Sequence, residues 1–432
     1  MEEKLSHYIN KSKSLDVKQH EKTIRVAILS SFTLNGLEET LRVKCDELDV
    51  SCVTFVSGYN QYNQEILNEK SRLYEFNPDI TFLILDIRDI LGRLFYAPYS
   101  YSIEERRDLI NRKISELENI ISIFTKNSKS KLVLSNSKIP DYSPHGIVET
   151  KTDYSIYNMI IDFNSRLADY VKNQQSVYVY DFGAFVNLFG DNNVFDYRQF
   201  FIGDIRISFD YIPALANDLI GYVKPLLGIN KKCIVLDLDN TLWGGVVGED
   251  GFDGISLGDT SPGNAFVEFQ HRLFSLWKRG IILAINSKNN PDDALQVIKK
   301  HPAMILREEN FAAMRINWND KVSNLKELAD ELNIGLNSMV FIDDDPINRE
   351  LVKTQLPEVL TVDLPSDPSQ YAKCVMGLND FNVLSVTDED LSRGKMYFEQ
   401  RQRTDFEKSV TNLDDFLKQL DIKIKIKNAR SE

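Results

Sequence analysis

The sequence predicts an α/β protein with two Rossmann-like domains, each built on a parallel β-sheet, and a short α/β tail at the carboxyl end. Short aliphatic and β-branched runs, which suit buried parallel strands, alternate along the chain with longer segments of helical apolar spacing. Several of these runs end in polar residues, at the edge where a parallel sheet places its ligand. The chain has 432 residues, 43% of them hydrophobic, which is enough for two or three domains.

The first predicted domain spans residues 24–228 and follows an arm, residues 1–23, that we expect to be mobile or to form a lone helix. Its predicted strands are Ile24–Ser30, Cys52–Val56, Ile80–Asp86, Leu132–Ser135 and Val177–Asp181. Helical spacing covers Leu34–Leu48, Ile103–Phe124 and Tyr154–Asn173. Strands that alternate with helices in this way predict a parallel sheet covered on both faces.

The second predicted domain spans residues 229–380. Its predicted strands are Ile234–Leu236, Ile281–Ile285, Met304–Leu306, Met339–Ile342 and Val359–Val362. Its predicted helices are Asn264–Lys278, Asp292–Lys300 and Val322–Leu332, the last closed by Gly335. After the first strand, Gly244-Gly245 and Glu249-Asp250-Gly251 enclose a short apolar pair, which predicts a tight hairpin flap beside that strand end.

Composition and charge exclude several classes of protein. The formal net charge of −13 argues against a nucleic-acid partner. The polar amino terminus lacks the apolar core of a signal peptide, and the longest apolar run, Ile80–Leu85, is too short to span a bilayer. Four cysteines and five histidines show no disulfide or zinc spacing. We therefore expect a cytoplasmic protein with reduced thiols and no membrane partner.

Carboxylates follow two of the predicted strands of the second domain. Asp237 and Asp239 come directly after the first strand, and Asp343-Asp344-Asp345 follows Met339–Ile342. Three consecutive acidic residues repel one another unless a cation lies nearby, so the run favours a metal ion. Oxygen ligands of this kind suit Mg²⁺. Two aspartates that project differently from one strand end can act as nucleophile and proton donor.

Four motifs carry a resemblance to a known family. They are DLDNT with LWGG, then Ser287 in NSKNN, then Lys321, then FIDDDPINRE, and each lies at a strand end or a helix start. In this order they resemble the motifs of the haloacid dehalogenase (HAD) superfamily, and specifically its FkbH-like branch, over about residues 24–427. A cation at a helix amino terminus opposes the helix dipole, so an ordinary solvated lysine is disfavoured at position 321.

The resemblance implies a role for each motif residue. Asp237 would be the nucleophile that forms an aspartyl-phosphate, and Asp239 would protonate the leaving oxygen and then activate water. Ser287 would bind a phosphoryl oxygen, and Lys321 would neutralise developing negative charge. The implied substrate-binding residues are Thr241, Asn286, Lys288 and Asn289. The implied ligands of Mg²⁺ are Asp237, the backbone carbonyl of Asp239, Asp343 and Asp344.

The first domain resembles the amino-terminal domain of FkbH-like proteins, which is similar to SGNH-type hydrolases. Ser30 or Ser31 matches the place of the hydrolase serine, but Arg206 stands where the catalytic histidine would be and Gly203 where its aspartate would be. A serine without a base is a weak nucleophile, so we expect a binding or docking module rather than an esterase. The segment GYNQYN, with Tyr59, Asn60, Tyr62 and Asn63, is compatible with a polar groove or with an ordinary surface loop.

FkbH-like relatives resemble phosphatases that transfer the glyceryl unit of 1,3-bisphosphoglycerate to an acyl carrier protein. Many relatives have a cysteine where this sequence has Asn286, which puts thioester formation there in doubt. A plain Mg²⁺-dependent phosphatase of a small sugar or acid phosphate, for example in polysaccharide assembly, is one alternative. A non-catalytic scaffold that binds a carrier protein is another, although the intact aspartate and lysine set counts against it.

The predicted tail spans residues 381–432. A capping box at Thr387-Asp388-Glu389-Asp390 opens a helix toward Lys408, and a short amphipathic helix follows at 413–420. Isoleucine and lysine then alternate over Ile422–Lys427, as in a strand with one apolar and one basic face. Many relatives continue into an acetyltransferase-like domain, so we expect this strand to pair with an edge of the same chain, a second copy or a separately encoded acyltransferase. Its lysines can steer an acidic carrier protein, and a frayed tail is the alternative.

Overall fold

The computed structural model describes residues 3–15 and 20–409, with side chains described to residue 403. The chain divides into two compact units, Met1–Val223 and Lys224–Glu432. Each unit contains one five-stranded parallel sheet flanked by helices, which confirms the predicted α/β class. No helix in the described part of the chain is long and apolar enough to cross a membrane.

The first unit is organised around strands β1 to β5 in the order β2-β1-β3-β4-β5. The strands are β1 Lys22–Ser30, β2 Val50–Val56, β3 Ile80–Ile84, β4 Lys131–Ser135 and β5 Val177–Tyr180. The helices are α1 Leu5–Ser12, α2 Leu37–Asp46, α3 Tyr62–Leu67, α4 Arg72–Phe76, α5 Ile87–Leu91, α6 Arg93–Tyr96, α7 Ile103–Asn127, α8 Ile156–Val171, α9 Phe182–Phe189, α10 Asp191–Val194, α11 Tyr197–Gly203 and α12 Ile212–Leu226. Short 3₁₀ turns occur at Pro98–Ser100 and Gly146–Lys151.

The second unit also contains five parallel strands, in the order β10-β9-β6-β7-β8. Its strands are β6 Cys233–Leu236, β7 Ile282–Ser287, β8 Phe311–Ile316, β9 Met339–Ile342 and β10 Leu360–Thr361. Its helices are α13 Val247–Asp250, α14 Gly263–Lys278, α15 Pro291–Lys300, α16 Lys321–Leu332, α17 Pro346–Gln355, α18 Tyr371–Met376 and α19 Asp388–Ser409. Short 3₁₀ turns occur at Glu308–Asn310, Leu336–Ser338, Pro368–Gln370 and Asn379–Phe381.

The strand orders fix where each unit can bind a ligand. In the first sheet, β2 lies on one side of β1, whereas β3, β4 and β5 follow one another on its other side. The direction in which strands are added therefore reverses between β1 and β3. In the second unit it reverses between β6 and β9. Crevices at the carboxyl ends of such strand pairs are the usual ligand sites of parallel sheets. The carboxylates at 237 and 343–344 follow β6 and β9 directly.

The predicted strand at Met304–Leu306 is wrong. The fifth strand of this sheet is β8, Phe311–Ile316, which the sequence analysis missed. The backbone N–H groups of Ile305 and Leu306 donate instead to Oε1 of Gln270, over 2.9 and 3.1 Å. A buried side chain therefore satisfies the donors that a strand ladder would otherwise satisfy.

The predicted flap is only partly a hairpin. Gly244 pairs with Ser256 in an isolated antiparallel bridge, but one turn of helix, α13, lies between them. The Asp250 carboxylate accepts a hydrogen bond from the Val246 N–H over 2.8 Å and stabilises this turn. Gly245 has φ +92°, a conformation that favours glycine.

The two ends of the chain hold helices where the sequence suggested them. In the amino-terminal arm, α1 buries Leu5 and Tyr8. At the other end, α19 begins after Thr387, whose hydroxyl accepts a hydrogen bond from the Asp390 N–H over 3.1 Å. The predicted helix at 413–420 and the predicted strand Ile422–Lys427 lie outside the described residues.

The Gln270 side chain generates a stability prediction. It is fully buried, and its Nε2 also donates to the Leu242 carbonyl over 2.7 Å. We expect Gln270→Ala to lower the free energy of unfolding by about 3–5 kcal/mol, since three backbone groups lose their partner. Urea unfolding followed by tryptophan fluorescence measures this, because all three tryptophans lie in the second unit. The exposed Gln296→Ala is the control, and equal midpoints for the two variants would contradict the prediction.

Candidate active site

The carboxyl ends of β6 and β9 bring together three of the predicted carboxylates. Leu236 pairs with Ile342 in the sheet, and the Asp237 N–H donates to the Ile342 carbonyl over 2.9 Å. Asp343 is the residue that follows β9, so the two aspartates lie side by side. Carboxylate oxygens of Asp237, Asp343 and Asp344 all lie within 4.8 Å of one another.

One buried lysine joins this cluster to the neighbouring strand. Lys321 is the first residue of α16 and is 1% exposed. Its Nζ lies 2.8 Å from Asp237 Oδ1 and 3.0 Å from Asp343 Oδ2, and it donates to the Asn286 carbonyl over 2.7 Å. Burial alone would lower the pKa of Lys321, but the two carboxylates outweigh it and the pKa is raised. The lysine is therefore a fixed cation.

A single ammonium does not balance three carboxylates. Burial and the neighbouring charges of Asp237 and Asp343 raise the pKa of Asp344 to about 7, and burial with the Asp237 charge also raises the pKa of Asp343. Among the described residues, no ion pair reaches the Asp344 carboxylate. The donor set is all oxygen and carries surplus negative charge, which fits a hard divalent cation.

The third residue of the acidic run has a different position. Asp345 caps α17, where its carboxylate accepts a hydrogen bond from the Ile347 N–H over 2.9 Å. Its repulsion with the other two is thereby reduced, because the helix amino terminus offers positive partial charge. Arg349 donates to the backbone carbonyls of Asp343 and Asp344 and so holds this loop.

The Asp239 side chain faces the flap. Its Oδ1 accepts hydrogen bonds from Trp243 Nε1 over 2.8 Å and from the Val247 N–H over 3.1 Å, and its Oδ2 accepts one from Asn289 Nδ2 over 2.8 Å. Burial raises the pKa of Asp239, and the charge of Asp237 adds to this, although the three donors oppose the shift. A carboxyl group with a raised pKa suits an acid–base role.

The other predicted residues are distributed around this cluster. Thr241 is buried, and its hydroxyl accepts a hydrogen bond from the Asp344 N–H over 3.2 Å. Ser287 is buried at the carboxyl end of β7, Asn289 is buried against Asp239, and Lys288 is exposed between them.

Asn286, for which the resemblance implied a substrate-binding role, has its side chain hydrogen-bonded to the start of α16, and that role stays a prediction. Asn286 is fully buried, and its Nδ2 donates to the Lys321 carbonyl over 2.9 Å. Its Oδ1 accepts from Nδ2 of Asn324, over 3.0 Å, and the same Nδ2 also donates to Asn317 Oδ1 over 3.0 Å. Both ends of the Asn286 amide are thus occupied by contacts that hold the first turn of α16. The side chain thereby positions Lys321.

Two residues of the site, Asn324 and Trp243, were not predicted from the sequence. Asn324 is fully buried one helical turn after Lys321, and that spacing was the only signal available for it. Trp243 belongs to the LWGG motif, but nothing in the motif shows that its indole N–H binds the Asp239 carboxylate.

The corresponding edge of the first unit holds a buried ionic cluster. Arg206 lies 3.0 Å from Asp86, 2.9 Å from Asp89 and 2.7 Å from Asp204, and these carboxylates raise its pKa although burial opposes them. The Ser31 hydroxyl accepts a hydrogen bond from the Asp86 N–H over 3.1 Å. Asp204, the residue after Gly203, is thus an ion-pair partner of Arg206. The expected absence of esterase activity stays a prediction.

The segment GYNQYN lines a cavity in this unit. A cavity of about 550 Å³ is bordered by Asn60, Tyr62 and Asn63 together with residues of α5 and α7. Tyr59 is exposed, and its hydroxyl donates to Asp204 over 2.7 Å. The structure therefore favours the groove over the ordinary loop for this segment.

Comparison with known proteins agrees with the sequence resemblance. Residues 25–224 match the family model described as FkbH, N-terminal domain. The first unit is FkbH-like. No curated protein matches the chain.

One solved structure resembles most of this chain. It is the crystal structure of the N-terminal part of the protein BF1531 from Bacteroides fragilis, which contains a phosphatase domain and is complexed with Mg. The two are 28% identical, with a TM-score of 0.81, over 89% of this chain and 100% of that one. A lipase from a goat rumen metagenome, 15% identical over 46% of this chain and 96% of its own, has a TM-score of 0.33, too low to support an argument.

The amide network generates a prediction about Lys321. We expect Asn324→Ala to lower kcat for phosphate release by about 10- to 100-fold with little change in KM, because a misplaced cation affects the transition state more than binding. Asn310→Ala is the matched control, since Asn310 is also a buried amide that binds backbone in this unit. Steady-state kinetics of both variants measure the loss of kcat, and thermal melts show whether each variant is still folded. Equal losses of kcat in the two would show that Asn324 is merely structural.

Proposed function

We propose that this protein is a Mg²⁺-dependent phosphatase of the HAD superfamily that works through an aspartyl-phosphate on Asp237. One observation carries the proposal: a buried lysine holds Asp237 and Asp343 together, beside Asp344, at the switch point of a parallel sheet. The FkbH-like first unit and the likeness to a phosphatase domain complexed with Mg support it.

The carboxylates of Asp237, Asp343 and Asp344, with the backbone carbonyl of Asp239, would hold the ion. When bound, Mg²⁺ supplies positive charge for the phosphoryl oxygens and orients the phosphate toward the nucleophile. The surplus negative charge of the cluster is the feature of this chain that fits the ion.

In the first half of the proposed reaction, a carboxylate oxygen of Asp237 attacks phosphorus. The bond from phosphorus to the leaving oxygen breaks, and Asp239 gives its proton to that oxygen. Lys321 binds Oδ1 of Asp237, so it fixes the orientation of the nucleophile and offsets negative charge as the phosphoryl group approaches. Ser287, at the adjacent strand end, donates to a phosphoryl oxygen.

In the second half, water replaces the enzyme carboxylate on phosphorus. Asp239, now ionised, takes a proton from the water that attacks the aspartyl-phosphate, and Asp237 leaves as a carboxylate with release of phosphate. The raised pKa of Asp239 suits this exchange, because the group must be protonated first and ionised afterwards. Its hydrogen bonds from Trp243 and Val247 join the proton donor to the flap.

The resemblance and the contacts of Asn286 point to two classes of substrate. The FkbH-like first unit supports the glyceryl phosphate of 1,3-bisphosphoglycerate, with delivery to an acyl carrier protein. Asn286 stands at the place of the relatives' cysteine, and its buried amide is hydrogen-bonded to α16. This favours a plain phosphatase of a small sugar or acid phosphate over a thioester at that position. A non-catalytic scaffold is disfavoured by the ordered aspartate–lysine cluster.

The nucleophile is tested by Asp237→Asn. We expect phosphate release to fall by about 10⁴-fold or more, since an amide does not form the acyl-phosphate. The measurement is a phosphate-release screen over small phosphorylated metabolites with Mg²⁺, run with and without carrier proteins. Asp345→Asn is the matched control, because asparagine also caps helices and Asp345 caps α17. Near-normal turnover by Asp237→Asn would contradict the mechanism, and a requirement for a carrier protein would favour glyceryl transfer.

The metal site is tested by Asp344→Asn. We expect the Mg²⁺ concentration for half-maximal activity to rise by about tenfold, because the site loses one charged ligand. A chelator should abolish activity of the unchanged protein and added Mg²⁺ should restore it. Activity that survives the chelator, or an unchanged Mg²⁺ requirement in the variant, would argue against a metal at this cluster.

A further inference from the structure

The first unit contains a second cavity that the proposed phosphatase reaction does not use. It has a volume of about 340 Å³ and opens beside the carboxyl ends of β3 and β4, where Leu85, Asp86, Ser137 and Lys138 line it. This is the edge of a parallel sheet at which ligands bind. Its volume lies within the range of small-molecule sites.

Aromatic rings form a large part of the wall of this cavity. Phe182, Phe195 and Phe200 line it, and the guanidinium carbon of Arg88 lies 4.9 Å from the Phe200 ring centroid and 6.0 Å from that of Phe195. Ring faces and a guanidinium plane attract a flat ring by stacking as well as by burial.

The mouth of the cavity exposes further aromatic side chains. Phe201 is 82% exposed, Tyr142 71% and Tyr96 66%, and they come from three separate segments of the chain. Apolar rings that converge on one opening remain in contact with water unless a ligand covers them, and such surfaces commonly mark binding sites.

The cations in the wall are already paired. Arg88 donates to both oxygens of the Asp86 carboxylate, from Nε over 3.0 Å and from Nη2 over 2.7 Å. Lys138 forms an ion pair with Asp191 and lies 3.8 Å from Asp141. The same contacts pair the two carboxylates of the wall, Asp86 and Asp141. A ligand of either charge would therefore lose its hydration without gaining a free counter-charge, so the cavity selects an uncharged one.

We propose that this cavity binds a small uncharged ligand that carries an aromatic ring. The ring stacks among Phe195, Phe200 and the exposed rings of the mouth, and a polar group on the ligand reaches the Asp86–Arg88 pair. The proposal does not depend on the phosphatase reaction, because every residue involved lies in the first unit.

The test is ligand-observed NMR by saturation transfer on the full chain, with three probes of similar size. They are naphthylmethanol, which is an uncharged ring, naphthoate, which is the same ring with a negative charge, and octanamide, which is an uncharged chain. We expect naphthylmethanol to bind about tenfold more tightly than either of the others.

Variants identify the site of binding. We expect the double variant Tyr142→Ala/Phe201→Ala to lower the affinity for naphthylmethanol by about tenfold, because two exposed ring contacts are lost. Leu188→Ala is the control, since Leu188 is a 64% exposed apolar residue of the same unit outside the cavity. Asp237→Asn should bind the probe as the unchanged protein does, which separates this site from the proposed phosphatase.

Three results would overturn the proposal. The first is no binding of naphthylmethanol, and the second is equal or tighter binding of naphthoate or octanamide. The third is that the double variant binds naphthylmethanol as tightly as the unchanged protein does.

Discussion

The buried ammonium of Lys321 is the interaction on which the candidate site depends. It contacts the residue that follows β6, the residue that follows β9 and a carbonyl within β7, and so links three strands to the start of α16. Removing one partner of a buried ion pair typically costs about 3–5 kcal/mol, because the remaining charge is left unpaired. The same lysine sets the separation of Asp237 and Asp343, and therefore positions both the proposed nucleophile and the proposed metal ligands.

The two units place ionic clusters at the same point of similar sheets, but the balance of charge differs. In the first unit each of Asp86, Asp89 and Asp204 contacts a guanidinium of Arg206. In the second unit Asp344 has no ion-pair partner among the described residues, and its pKa is raised. A cluster whose charges are paired holds a fold together, whereas surplus charge at a crevice is available for a cation. This difference is the physical reason to place the phosphoryl chemistry in the second unit.

The sequence was sufficient for the features that depend on local pattern. Aliphatic runs alternating with helical spacing predicted both parallel sheets, and acidic residues after two strands predicted the carboxylate cluster. It was not sufficient where a side chain from a distant segment decides the structure. The Gln270 side chain accepts hydrogen bonds from the backbone N–H groups of residues 305 and 306, and the strand predicted there does not form. Asn324 donates a hydrogen bond to the Asn286 amide, a contact that the sequence did not predict. The aromatic cavity is assembled from residues that are far apart in the sequence, so no local pattern indicated it.

The proposed reaction requires that the phosphoryl group be transferred to the carboxylate of Asp237 before it is released as phosphate. The most direct measurement of this transfer is mass spectrometry of protein quenched in acid during turnover, with hydroxylamine used to cleave any acyl-phosphate. The account predicts a phosphoryl mass on the peptide that contains Asp237, lost with hydroxylamine and not formed in Asp237→Asn. Phosphate turnover with no such adduct, or an adduct on a serine of the first unit, would contradict it.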